Sequence, residues 1–369
     1  MPQDLPPDAS IREDNFAAIR LVAAILVIFG HAFPLTGSVG PGYLGSPVST
    51  LAVKVFFVIS GYLICGSWLR DPNVSRYMLR RALRIFPGLI VLCILTVGLV
   101  GVLITSAPVR DYLASPATWN YFSNVLLYPN YHLPGVFAGN IYPGAVNGSL
   151  WTLPVEFAMY LLLPLVLLLP CRRYAVIAML VGLAVASIWF TRLYAPSQPT
   201  VIWGTSLTSA LEMAPYFFAG AVYRMWVPQK FLNLQWGLML LVLVALFART
   251  PLSAEIACLV LTPYLTLALG YARPPVFGFV EKFGDPSYGV YLYGFLCQQI
   301  VAHFLPVREA PLANFALSVI PAIALGMLSW RLIEKPALSW KPGRRAPRPA
   351  ARADNRHAPG NAPPADHLA

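Results

Sequence analysis

Charged residues are scarce in this chain. Only 11% of its 369 residues are Asp, Glu, Lys or Arg, whereas 57% are hydrophobic. Soluble domains carry about 25% charged residues, so the composition excludes an ordinary soluble enzyme and predicts a membrane protein with several spans. The formal net charge is +11, but most basic residues lie in short loops and in the C-terminal tail. That distribution argues against a nucleic-acid-binding face.

Paired cysteines are also lacking. No Cys-x-x-Cys motif occurs, and the five cysteines lie within or at the ends of apolar segments: Cys65, Cys93, Cys171, Cys258 and Cys297. An odd, scattered set predicts neither a disulfide framework nor a zinc site. We expect these side chains to pack as small apolar groups, and we predict no metal site.

The N-terminus shows no cleavable signal peptide. The first fifteen residues contain four acidic side chains, and no small-residue cleavage site follows the first apolar run. We therefore expect the first span to be retained. No internal repeat is apparent.

Apolar runs of about twenty residues, the length of a transmembrane helix, recur along the chain. They predict an all-α, polytopic bundle of about ten spans. These lie near residues 16–36, 48–69, 86–106, 149–170, 174–194, 205–226, 232–249, 254–271, 286–306 and 312–333. Pro215 and Pro263 interrupt the sixth and eighth spans, which are the weakest of the set.

The loops indicate the orientation of this bundle. Lys and Arg concentrate between the second and third spans and in the 4–5, 6–7 and 8–9 turns, whereas the alternate loops hold few. Because basic loops stay in the cytoplasm, both termini are expected there. We thus divide the chain into a cytoplasmic segment 1–15, a membrane domain 16–338 and a basic tail 339–369. The tail is rich in Pro, Ala and Arg and is expected to be disordered.

Two ionisable residues stand out in the first span. Arg20 and His31 are eleven residues apart, so on a helix they share a face and lie roughly 16 Å apart along the axis. Ionisable side chains at membrane depth are costly and generally mark a functional site or a pairing between helices.

Three other ionisable residues are expected at the depth of His31. Counted from the outer ends of their spans, Lys54, Glu156, Glu212 and His31 all fall roughly 7–11 Å below the outer surface. The four side chains therefore predict a shared polar cavity in which opposite charges pair. For Lys54 and Glu212, a purely structural role in helix packing is the alternative.

A pair of arginines follows the second span. Arg81 and Arg84 are three residues apart and share a helical face. Two guanidiniums in this arrangement suit phosphate binding at the membrane surface, and Arg20 is expected near the same level. The positive-inside signal alone is the simpler explanation for Arg76.

These motifs together resemble the acyltransferase-3 family, bacterial inner-membrane proteins that O-acylate cell-surface and exported glycans. Arg20-x10-His31 is similar to the Arg-x10-His motif of that family. Further similarities lie in Phe56–Ile64 (Phe-Phe-x-x-Ser-Gly), Arg81–Arg84 (Arg-x-x-Arg), Ser149–Glu156 (Trp-Ser-Leu-x-x-Glu), Ser287–Leu292 and Trp330–Pro336. Two positions depart from the family pattern. Gly294 replaces a frequent His, and Phe157 replaces a frequent second acid.

The resemblance implies an acyl-CoA donor, most often acetyl-CoA, and a sugar hydroxyl of a glycan or glycolipid as acceptor, with no permanently bound cofactor. Arg20, Arg81 and Arg84 would hold the donor's phosphates. Ser60-Gly61 would let the donor approach the second helix closely, although helix packing explains the glycine equally well.

The implied chemistry needs a base for the sugar hydroxyl. His31 would take its proton, and Glu156 would orient the imidazole ring and stabilise its charged form. Lys54 would assist the oxyanion, and Glu212 would be accessory. An acyl-His intermediate stays open.

Other functions remain open at this stage. The ionisable residues suit a proton-coupled transporter, although no paired halves are apparent, and a polysaccharide-export subunit without chemistry is a third possibility. Aromatic residues of the 107–148 loop are expected either to stack on acceptor sugars or to form an interfacial belt. The oligomeric state is not predicted.

Overall fold

The computed structural model describes residues 14–273 and 284–341, and within them the chain is almost entirely helical. The segment 1–13 and the tail beyond residue 341 lie outside the described residues. The α-helices are α1 (Phe16–Leu35), α2 (Val48–Arg70), α3 (Val74–Leu95), α4 (Val102–Ile104), α5 (Val109–Ala114), α6 (Pro116–Asn120), α7 (Thr152–Leu167), α8 (Arg172–Ile188), α9 (Leu207–Trp226), α10 (Leu234–Phe247), α11 (Pro251–Gly270), α12 (Ser287–Phe304), α13 (Pro311–Ser329) and α14 (Lys335–Ser339).

Shorter elements extend or connect these helices. Residues Thr96–Gly101, Trp189–Tyr194 and Trp330–Glu334 are π-helical, and Tyr121–Leu126, Gly148–Trp151 and Gln229–Phe231 are 3-10 turns. Strand β1 (Gly42–Tyr43) pairs antiparallel with β2 (Ser46–Pro47), and β3 (Val201–Ile202) pairs antiparallel with β4 (Thr205–Ser206).

Each predicted span coincides with a helix of the structure. Within the described residues, seven helical runs are long and apolar enough to cross a membrane, and α10 is a shorter apolar helix. This confirms a helical membrane protein. The two proline-containing spans are continuous helices, since Pro215 lies inside α9 and Pro263 inside α11. Neighbouring helices can satisfy the carbonyls that a proline leaves free.

The third helix begins earlier than predicted. Its apolar part was expected from residue 86, but α3 begins at Val74, where the Asn73 side chain accepts a hydrogen bond from the Arg76 amide. This N-terminal cap satisfies a backbone donor that would otherwise be free. The basic residues before Ile85 are therefore part of α3 and share its orientation.

Helices α2 and α9 form the closest helix pair. A Cβ on Gly61 would overlap the carbonyl oxygen of Phe217, and a Cβ on Gly220 would overlap that of Val58. A backbone can approach this closely only where the residue facing it has no side chain. The helices run parallel, because Lys54 meets Glu212 near one end and Tyr62 meets Arg224 towards the other.

The same two helices reveal a repeat that the sequence did not. Gly45 and Gly61 are sixteen residues apart, as are Gly204 and Gly220. Gly45 and Gly204 each close a short hairpin with a positive φ, of 74° and 70°. A helix, a hairpin and a second helix thus occur twice, as α1-β1-β2-α2 and α8-β3-β4-α9. The expectation of no internal repeat did not include this similarity, because it is confined to the order of the elements and to the spacing of the turn and packing glycines.

Candidate active site

A basic cavity of about 320 Å³ lies among α1, α2, α3, α7 and α12. Its polar lining combines predicted residues with several that were not predicted. These are Arg20, Ser60, Arg80, Arg81, Arg84, Thr152, Glu156, Tyr160, Asp285, Ser287, Tyr288, Tyr291 and Lys341. The structure therefore gathers the three predicted arginines, Ser60 and Glu156 around one space.

Asp285 lies between two of these arginines. One of its oxygens is 3.1 Å from an Arg20 guanidinium nitrogen and 2.8 Å from an Arg84 guanidinium nitrogen. Ser287 donates a hydrogen bond of 2.5 Å to the other oxygen. Burial raises the pKa of Asp285, but the two guanidiniums outweigh it and hold the pKa below its usual range. This residue precedes α12 and was not predicted.

A second carboxylate further neutralises Arg84. The Glu334 side chain is 2% exposed, and one of its oxygens lies 3.9 Å from Arg84. Ser329 donates a hydrogen bond to its other oxygen at 3.0 Å. Arg20 and Arg84 thus share Asp285, and Arg84 also faces the carboxyl group of Glu334.

Arg81 differs from its neighbours, because no ion pair joins it to any described residue. Its Nε is buried without a hydrogen-bond partner, and its guanidinium lies 5.9 Å from the centre of the Tyr160 ring. Arg80, in contrast, pairs with Asp71 at 2.6 Å. Arg81 is therefore the arginine of this cavity best able to receive an external anion.

Lys341 adds a further positive charge at the same cavity. It follows α14, so the chain beyond the last span returns to the arginines. Burial, together with Arg81, Arg84 and Arg80, lowers the pKa of Lys341 to about 8. Like charges held this close favour binding of an anion between them.

Glu156 belongs to this basic cavity. Its carboxylate accepts a hydrogen bond from Ser60 at 2.8 Å and another from Tyr160. No hydrogen bond joins Glu156 to His31 in the described part of the chain. The orientation of the imidazole ring by Glu156 therefore stays a prediction without a direct contact.

His31 lines a different cavity of about 350 Å³, which we call the aromatic cavity. Its aromatic walls are Tyr131, Tyr142, Trp151 and Phe295, and its other lining residues are Pro34, Leu35, Gly144, Ala145 and Gly148. The His31 Nδ1 atom is buried without a hydrogen-bond partner. The ring centre lies 5.3 Å from that of Phe295 in an edge-to-face arrangement.

Lys54 and Glu212 line a third, small cavity and pair with each other at 2.9 Å. Lys54 also donates a hydrogen bond to Ser46 at 2.7 Å. The expected pairing of opposite charges is confirmed for these two residues. The expected shared cavity was wrong, because the four residues of one depth point from their helices in different directions.

Gly61 does not line the basic cavity, although Ser60 does. It faces α9, where the Phe217 backbone takes the space of its missing side chain. Helix packing accounts for this glycine, and we remove it from the candidate site.

The basic cavity and the aromatic cavity are neighbours. Thr152 and Tyr291 line the basic cavity. Trp151, which is adjacent to Thr152, and Phe295, which is one turn after Tyr291 on α12, line the aromatic cavity. The hydroxyls of Tyr291 and Thr152 are hydrogen-bonded at 2.6 Å, and Tyr291 also donates to the Ser149 carbonyl at 2.8 Å. These residues form the wall between the basic cavity and the aromatic cavity.

Comparison with known proteins matches the sequence of this chain to a family. The sequence profile of the acyltransferase-3 family, described as an acyltransferase domain, matches residues 14–331. The chain belongs to this family. All the predicted site residues lie within the matched range, and so do the predicted spans except the last two residues of the tenth.

Relatives in this family include named acetyltransferases. An O-acetyl transferase of Shigella phage Sf6 is 30% identical over 333 residues, which cover 88% of this chain and 96% of the relative. Nodulation protein 10 of Rhizobium leguminosarum is 28% identical, covering 89% and 94%. A peptidoglycan O-acetyltransferase of Listeria monocytogenes is 22% identical over 88% of this chain and 55% of the relative. No solved structure gives a significant match.

This acyltransferase-3 protein is thus a membrane acyltransferase for groups other than amino-acyl groups. The departure at Gly294 has a steric reason here. A Cβ at this position would lie 2.6 Å from the Ile28 side chain on α1, so any side chain here requires Ile28 to shift.

Several site residues were missed by sequence reasoning. Asp285 had a usable signal, because it is an acid directly before a span on the side expected to carry Arg20 and Arg84. Tyr160 is one helical turn after Glu156 and was readable from that spacing. Lys341 had no such signal, since it lies within a segment expected to be disordered.

Proposed function

We propose that this acyltransferase moves an acyl group, most often acetyl, from acyl-CoA to a hydroxyl of a cell-surface or exported glycan or glycolipid. It would do so in the bacterial inner membrane, with ten spans and both termini in the cytoplasm. The basic cavity carries the proposal, because Arg81 and Lys341 face it without acidic partners among the described residues. A nucleotide with several phosphates supplies the matching charge.

The donor's arm would lead from these phosphates towards the wall. Arg20 lies at one end of the basic cavity's face of α1, and His31 is roughly 16 Å along the same helix. Ser60, held by Glu156 at 2.8 Å, lies along this route. Glu156 would act by positioning Ser60 and Tyr160 beside the arm.

At the wall, the acceptor hydroxyl would meet the thioester. His31 takes the hydroxyl proton as the oxygen attacks the acyl carbon, forming the C–O bond. The C–S bond then breaks, and the CoA sulfur leaves and takes the proton back from His31. Atoms and charge balance without a metal or a further reactant, and the products are the O-acyl glycan and CoA.

The test is transfer of labelled acetyl from acetyl-CoA to surface polysaccharide in isolated membranes. We expect His31→Ala to lose at least a hundredfold in rate, the contribution expected of a general base (about 10²–10⁴). His303→Ala is the matched control, because His303 is exposed at the end of α12, and it should keep the parent rate. Full activity of His31→Ala would remove the imidazole from the mechanism.

A further inference from the structure

The aromatic cavity surrounds His31 with aromatic side chains that its role as a base does not require. Two of its tyrosines come from the segment between α6 and α7, and they surround the end of α1 that carries His31. Tyr142 is 42% exposed, so one aromatic face is open at the cavity. Phe295 closes the opposite side against His31, and the ring centres of Tyr142 and Phe295 are 6.3 Å apart.

Buried polar side chains hold this wall in place. Gln299, fully buried on α12, donates hydrogen bonds to the Tyr142 carbonyl at 2.8 Å and to the Ala145 carbonyl at 2.6 Å. Asn140 donates in turn to the Gln299 side chain at 2.7 Å. Asn147 is fully buried and donates to the Leu292 carbonyl at 2.8 Å. The segment 140–147 is thus fixed to α12 by two of its backbone carbonyls and by the side chains of Asn140 and Asn147, and the Tyr142 hydroxyl and ring take no part in this anchoring.

The lining chemistry selects a class of ligand. No Lys, Arg, Asp or Glu is among the residues that line the aromatic cavity, so it has no group that would hold a phosphate. Its unpartnered His31 nitrogen offers a polar contact that a lipid chain cannot use. A sugar ring satisfies both features, because its hydroxyls can bond to the imidazole while its C–H face packs on aromatic rings. A volume of about 350 Å³ lies in the range of small-molecule sites.

We propose that the aromatic cavity is the acceptor subsite, which binds one sugar ring of the glycan on Tyr142 and presents its hydroxyl to His31. The proposal rests on the proposed function and deepens it, because it separates the two substrates. The donor's phosphates bind in the basic cavity, the acceptor's sugar binds in the aromatic cavity, and they meet at the wall formed by Thr152 and Tyr291.

The first experiment measures the kinetics of Tyr142→Ala in the acetyl-transfer reaction, with the deacetylated surface polysaccharide of the producing bacterium as acceptor. We expect the KM for the polysaccharide to rise roughly tenfold, which corresponds to about 1.4 kcal/mol, because the acceptor sugar loses its contact with the aromatic ring. The KM for acetyl-CoA should not change, and Tyr142→Phe should restore the parent value. Tyr128→Ala is the matched control, because Tyr128 is 46% exposed and does not line this cavity.

An unchanged KM for the polysaccharide in Tyr142→Ala would overturn the subsite. An equal rise in the KM values for the polysaccharide and for acetyl-CoA would also overturn it.

The second measurement does not depend on acetyl transfer. The same polysaccharide is titrated into the detergent-solubilised protein without acetyl-CoA, and Tyr142→Ala should bind it roughly tenfold more weakly than the parent. If the parent binds but transfers no acetyl group, the proposed function fails while the subsite stands. Equal binding by parent and variant overturns the subsite.

Discussion

The arginines of the basic cavity are not equivalent residues. Arg20 and Arg84 share Asp285, and Arg84 also faces the buried Glu334. Arg81 has no acidic partner among the described residues. A substitution of Arg84 therefore leaves Glu334 without its cation and Asp285 with Arg20 alone, whereas a substitution of Arg81 leaves no carboxylate without a partner.

We accordingly predict opposite outcomes for two alanine variants. Arg81→Ala should raise the KM for acetyl-CoA at least tenfold, because a hydrogen bond to a charged group is worth roughly 1.5–3 kcal/mol, with little change in thermal stability. Arg84→Ala should lower the free energy of unfolding by roughly 3 kcal/mol, the cost of breaking a largely buried ion pair. Acetyl-CoA kinetics and thermal unfolding in detergent measure the two effects.

The reverse pattern would contradict this division of roles. A stable Arg84→Ala protein with weakened donor binding, beside an Arg81→Ala protein with parent kinetics, would identify Arg84 as the phosphate ligand. It would also mean that Asp285 is readily displaced.

Among the elements, α2 and α9 depend most on the absence of side chains. Gly61→Ala places a methyl group on the Phe217 carbonyl, so the helices must separate. Forced overpacking of this kind costs roughly 1–3 kcal/mol, and we expect a lower unfolding temperature in detergent. Gly182→Ala in α8 is the matched control, since a Cβ there meets nothing within 4 Å. Equal unfolding temperatures of the two variants would show that the helix pair can adapt.

The elements also show what the sequence could and could not predict. Each apolar run predicted as a span coincides with a helix, because a spanning helix must be apolar over the bilayer thickness whatever its neighbours are. The partners of each helix were not predictable in the same way. The position of a residue along a helix gives the depth of its side chain. Which cavity that side chain reaches depends on the neighbouring helices, and the sequence does not give their arrangement.

His31 and Glu156 illustrate this limit. Both were placed at one depth and expected to pair, yet Glu156 points to Ser60 and Tyr160 in the basic cavity, whereas His31 points to the aromatic cavity. Arg20, Arg81 and Arg84 were correctly grouped, because all three line the basic cavity. Asp285 was missed because its partners come from two helices distant in sequence.

The whole molecule has a predicted orientation that its cysteines can test. All five cysteines are free thiols. Cys171 is exposed, and the other four are buried. We expect a membrane-impermeant maleimide to label Cys171 only after the membrane is permeabilised, because the 4–5 turn is predicted to be cytoplasmic. The control is Val39→Cys in a Cys171→Ser background. Val39 is 97% exposed after α1, and its cysteine should react in intact cells. Labelling of Cys171 in intact cells would invert the orientation.

Helix α12 has a consequence for how the two substrates influence each other. It contributes Tyr291 to one cavity and Phe295 to the other, and Gln299 anchors the loop that carries Tyr142. One helix is thus part of both proposed binding sites, so a shift of α12 caused by one substrate would change the site proposed for the other. Such coupling is reciprocal by thermodynamic necessity. The factor by which acetyl-CoA changes the equilibrium affinity for the glycan must equal the factor by which the glycan changes the affinity for acetyl-CoA.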